Sequence, residues 1–86
     1  MPRMHARLIE VASDVLQIDI PSDTDDLRRS DREEWDSVNH LRLIMELEDA
    51  FGITIEDEQA MELSSLRQIE SLLIERGAIS FDRTAG

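Results

Sequence analysis

Apolar residues recur along this chain at the three- and four-residue spacing of amphipathic helices, and the longest such stretch follows Asp36. Leu43, Leu47, Ala50 and Phe51, with Ile44 at the edge, share one side, and Gly52 offers a left-handed stop. The spacing predicts a helix over 37–51, a rod of roughly 22 Å, with the Asp36 side chain capping its free N–H groups. Leu8, Val11, Ala12, Val15 and Leu16 predict a first helix over about 4–17, which Pro21 prevents from continuing. Beyond Gly52, Ile53 and Ile55 alternate with Thr54 in a short extended connection, and a short helical turn runs from Asp57 through Met61, with Leu63 following. Ser65 and Gln68 have the spacing of a capping box and open a last helix with Leu66, Ile69, Leu72 and Leu73 on one face, closed by Gly77.

From Asp19 to Trp35 the pattern dissolves into turn residues and charge, with Ile20, Leu27 and Trp35 as the anchors and Leu27 expected to pin the loop down. Residues 78–86 have no pattern and read as a loosely held tail, from which Ile79 and Phe81 could pack back. The expected fold class is therefore all-α: a four-helix bundle, three longer helices and one short, with a long loop between helices one and two. The domain spans 1–77, and 86 residues leave room for one modest core.

One feature of the central helix exceeds what a bundle needs. Val38, Leu41 and Met45 repeat on a second side, giving it more apolar surface than a monomer's surface helix requires. Charge sharpens this observation. The net charge is −11, the nine basic residues are all arginine, and between Arg42 and Arg67 stand Glu46, Glu48, Asp49, Glu56, Asp57, Glu58 and Glu62 with no base among them. An acidic surface beside an apolar stripe suits docking to a basic partner, in which charge steers the encounter and apolar contacts hold it. The same excess argues against binding nucleic acid.

The chain contains no cysteine, which excludes disulfides, thiolate metal sites and a cysteine nucleophile. No stretch approaches a membrane span, and a cytoplasmic monomer is the expectation. Asp23, Asp25 and Glu34 take the first, third and twelfth places of a calcium loop, but Leu27 and Arg28 stand where a ligand and a glycine are required, so no metal is expected. Asp36, Ser37 and His40 could approach one another on one helix, yet a hydrolytic triad also needs an oxyanion hole and a dry pocket, which so small a bundle does not offer. His40 reads as a partly exposed helix residue and His5 as a terminal residue without a role. A serine in the first turn of a helix, where N–H groups and the positive end of the macrodipole converge, suits a phosphate carried on its oxygen. Capping alone is the ordinary explanation of an Asp-Ser pair at an arbitrary helix start.

Trp35-Asp36-Ser37-Val38, followed by the run from Leu41 through Glu48-Asp49-Ala50-Phe51-Gly52-Ile53 and then Asp57-Glu58, resembles the acyl carrier proteins over about residues 4–76. The resemblance implies 4′-phosphopantetheine, delivered from coenzyme A by a phosphopantetheinyl transferase, on Ser37. The arm's thiol would hold acyl groups as thioesters while the carrier, without catalytic activity of its own, passes among loading and transferring enzymes with basic patches. It implies docking through Asp36, Val38, Leu41, Arg42, Met45, Glu48 and Asp49, with Ile55 and Asp57 as further contacts, and an interior of Leu43, Leu47, Phe51 and Leu63 that in fatty-acid carriers parts for an acyl chain. Val38 stands where leucine is usual, Trp35 where a small residue is common, and Arg42 where an acid is frequent. Trp35 and Arg42 point to a specialised pathway and are the positions expected to select partners. The alternatives are a discrete aminoacyl or peptidyl carrier and an acidic helical adaptor that is never modified.

Overall fold

The computed structural model describes residues 5–21, 24 and 26–79. In order it places α1 (Ala6–Leu16), a 3-10 turn (Arg29–Asp31), α2 (Ser37–Phe51), α3 (Asp57–Glu62) and α4 (Leu66–Glu75). The fold is all-α, with no strand among the described residues. The ends of α1 and α2 follow their local chemistry. Asp36 caps α2 by accepting from the Asn39 N–H at 2.9 Å, and Gly52 ends it at φ 66°, a left-handed conformation that glycine adopts without steric cost. α1 ends on Gln17, also left-handed at φ 58°.

His5 does have a role, contrary to the reading of it as a bare terminal residue. Its Nδ1 accepts from the Arg7 N–H at 3.2 Å and caps α1, its backbone N–H donates to Glu70 Oε2 at 2.9 Å, and its ring meets Phe51 edge-on at 6.2 Å. A histidine ring nitrogen is an uncommon N-cap acceptor, which is why sequence rules overlook it.

The capping box on α4 is only half formed. Ser65 Oγ accepts from the Gln68 N–H at 3.2 Å, but the Gln68 carbonyl oxygen turns to the Ser64 N–H and hydroxyl at 2.7 and 2.9 Å. The long loop completes the cap. Leu66 N–H donates to Leu27 O at 2.9 Å and Arg67 N–H to Asp26 Oδ1 at 2.9 Å, so Asp26 and Leu27 satisfy otherwise orphaned donors of α4's first turn, and the Arg29 N–H donates to Ser64 O at 2.8 Å beside them. Leu27, packed against the core, is the pin of this arrangement, as its hydrophobicity within a polar loop predicts.

Leu8, Leu16, Leu43, Leu47, Leu66, Ile69 and Leu73 are fully buried, each contributing about 1.5–3 kcal/mol of transfer free energy. Ile20 and Trp35 join them from the loop. The buried face of α2 is His40, Leu43, Ile44 and Leu47, whereas Ala50 and Phe51 are only half-buried, a rotation of the face toward the helix start. Ile79 packs back onto the core, with the Ala78 N–H donating to Leu73 O at 2.9 Å, while Phe81 lies outside the described residues. No described helix is long and apolar enough to cross a membrane.

Candidate functional site

The start of α2 is built around Trp35. This indole is 2% exposed, and burial of its ring requires a partner for its N–H. His40, one turn into α2, provides it: Trp35 Nε1 donates to His40 Nδ1 at 2.8 Å, and the two rings stack with centroids 6.0 Å apart. Because an indole nitrogen can only donate, His40 Nδ1 must accept, so the ring's proton sits on Nε2, which lies 2.8 Å from Ala60 O and donates to it. This relay ties loop, α2 and α3 through the core.

It also corrects two expectations. His40 is 5% exposed rather than partly open, because position 40 is one turn before Ile44 on the inward face and both its nitrogens are satisfied there. Trp35 is an interior residue and cannot select partners by contact. The signal available in the sequence was the five-residue separation of an indole donor and an imidazole acceptor across a helix start.

With Trp35 fixed, its carbonyl accepts from Arg29 Nε at 3.1 Å, and the Glu34 carbonyl accepts from Asn39 Nδ2 at 2.7 Å. The chain therefore enters α2 on a rigid path that leaves Ser37 exposed in the first helical turn. The Arg29 guanidinium donates to Ser37 Oγ at 3.2 Å. Ser37 and His40 consequently have separate partners on separate sides of α2, and Asp36 is spent on the cap, so the three do not assemble as a hydrolytic triad. Sequence reasoning missed Arg29, which reaches the site only through the 3-10 turn.

Beyond Ser37 the surface is apolar and acidic in alternation. Val38, Leu41 and Met45 are 66%, 61% and 65% exposed, and Arg42 and Asp49 on α2 and Asp57 at the start of α3 are exposed as well. Met61 on α3, at 79%, is a further exposed apolar residue that the spacing did not single out, since it follows the buried Ala60 in a helix too short to show periodicity. Ile55 is not on this surface. At 4% exposure it belongs to the core, because the extended connection after Gly52 turns alternate side chains inward. Glu48 is half-buried, and its Oε2 accepts from the Ile55 N–H at 2.7 Å, so it holds the α2–α3 connection as well as bordering the surface.

An exposed serine in a helix's first turn, a cation on its oxygen and an apolar stripe beside it thus stand together at the start of α2. The model of the phosphopantetheine attachment site family matches residues 6–73, and the chain belongs to this family of acyl carrier domains. It is 32% identical over 69 residues to an acyl carrier protein of Rubrobacter xylanophilus, an alignment covering 80% of this chain and 85% of that protein. No solved structure matches the chain at a comparable level. The group such a domain bears is covalently attached 4′-phosphopantetheine. The site fits it, because Ser37 is an accessible hydroxyl and both the helix start and Arg29 favour a phosphate on that oxygen.

Proposed function

We propose that Ser37 bears the phosphopantetheine and that the protein is a non-catalytic cytoplasmic carrier of acyl intermediates in a specialised biosynthetic pathway. The observation that carries this reading is the Ser37 hydroxyl, exposed at the start of α2 on a backbone path that Trp35, Asn39 and Arg29 hold rigid. When bound, the arm supplies a terminal thiol, which carries acyl groups as thioesters and makes good the chain's lack of cysteine. The protein's own residues orient and present: Asp36 fixes the first turn, and Val38, Leu41, Met45 and Met61 offer apolar contacts. Asp49 and Asp57 attract the basic surfaces of the transferase and of the loading and transferring enzymes. Arg42, exposed within this acidic surface, sets it apart from a uniformly acidic one and gives partners an acidic group's worth of selectivity.

The apo protein is incubated with coenzyme A and a broad-specificity phosphopantetheinyl transferase, and its intact mass is taken. A gain of one phosphopantetheine by the native chain and none by Ser37→Ala is the expected result. No gain by the native chain would leave the acidic adaptor as the better reading, and equal gain by both would place the arm on a residue other than Ser37.

A further inference from the structure

Arg29 is held from three directions. Its backbone N–H donates to Ser64 O at 2.8 Å, its Nε to Trp35 O at 3.1 Å, and its Nη2 to Ser37 Oγ at 3.2 Å. An arginine free in solvent loses side-chain entropy when it is ordered. Here the Trp35 carbonyl, fixed by an indole locked in the core, has already met most of that cost. The return on the serine side is small if the partner remains a hydroxyl. A guanidinium has more donors than a hydroxyl can accept, and their planar fork matches two oxygens of a phosphate.

The surroundings make a cation at this point consequential. Glu33, Glu34 and Asp36 are exposed within four residues of Ser37, and the whole chain carries −11. A phosphodiester placed there adds a further negative charge to an acidic neighbourhood, which the helix start and Arg29 oppose at short range.

We infer that Arg29 is the phosphate-binding residue of the arm: its guanidinium pairs the free phosphodiester oxygens on Ser37 and holds the first segment of the arm against the start of α2. This rests on Ser37 being the attachment residue, and mass measurement settles that point separately before Arg29 is tested. An arginine that merely braced the Trp35 carbonyl would stabilise unloaded and loaded protein alike. A phosphate-binding one adds stability only after loading.

Melting temperatures of unloaded and loaded protein are compared for the native chain, Arg29→Gln and Arg29→Lys. Loading raises the native melting temperature by roughly 3 °C, the scale of one partly exposed ion pair in a domain of this size. In Arg29→Gln that gain falls by more than half, and Arg29→Lys, which keeps the charge without the fork, retains an intermediate share. In the native chain, the Arg29 guanidinium N–H resonances shift and sharpen on loading, a readout that remains decisive should Arg29→Gln fail to fold or to accept the arm. A gain in Arg29→Gln more than half the native one, or native Arg29 resonances that do not move when the intact mass shows loading, would overturn the inference.

Discussion

Replacing His40 with alanine removes in one step the acceptor for the Trp35 indole and the donor to the Ala60 carbonyl. The buried indole N–H then lacks a partner, at about 1–3 kcal/mol, the Ala60 carbonyl keeps its bond from the Leu63 N–H, and a cavity is left beside the indole. His40→Ala should therefore lose about 3 kcal/mol or more in urea unfolding, a large fraction of a small domain's stability. Trp35→Phe, which orphans only His40 Nδ1, should lose less. If His40→Ala unfolds at the native urea midpoint, the relay contributes nothing to the core. At this scale the sequence was partly legible. Ser37 and Asp36 stood out because a cap and a first-turn hydroxyl are adjacent in the chain. Arg29 did not, because eight residues of irregular loop separate it from Ser37 and no periodicity carries across such a loop. Histidine's inward turn was hidden for a related reason: a polar residue on an apolar face reads as exposed until its partner is known.

The α2 element separates residues that hold the fold from residues that face outward. Asp36→Ala removes the cap from Asn39 N–H and should cost about 1 kcal/mol by thermal or urea unfolding. Met45→Ala, at a position 65% exposed, should stay within about 0.5 kcal/mol of the native stability while slowing phosphopantetheine transfer. Glu48→Ala should behave differently despite its neighbouring position, because it strips the Ile55 N–H of a charged acceptor and should cost about 1–2 kcal/mol. A Met45→Ala variant that melts far below the native chain would place that side chain in the core instead. Helix boundaries were legible to within a residue or two, since Asp36, Gly52, Ser65 and Gly77 are local signals. The extended connection 53–56 was assigned correctly as a segment, but its inward side was not. Alternation shows that Ile53 and Ile55 share a face without showing whether that face is wet, and here Ile55 is in the core.

For the whole molecule, the long loop is the element that composition least explains and contacts explain best. Its residues Asp26 and Leu27 satisfy the start of α4, Arg29 ties it to Ser64, and Ile20 and Trp35 fill the core, so the bundle depends on it as on a fifth structural element. The uncompensated charge of −11 acts on the molecule as self-repulsion. Raising sodium chloride from about 0.01 to 0.5 M, which shortens the screening length from about 30 Å to below 8 Å, should raise the melting temperature of the unloaded protein. A flat response would show that the charges are too dispersed to matter. The family and its all-α fold were both readable in advance, because they rest on local patterns repeated over most of the chain, residues 6–73. The central claim is that the arm is carried on Ser37, and peptide mapping of the loaded protein tests it most directly. Cleavage after arginine releases peptide 33–42, in which Ser37 is the sole hydroxyl-bearing residue. That peptide should carry the phosphopantetheine mass; finding it unmodified while the intact protein is loaded, with the mass on another serine such as Ser30 or Ser64, would contradict the account.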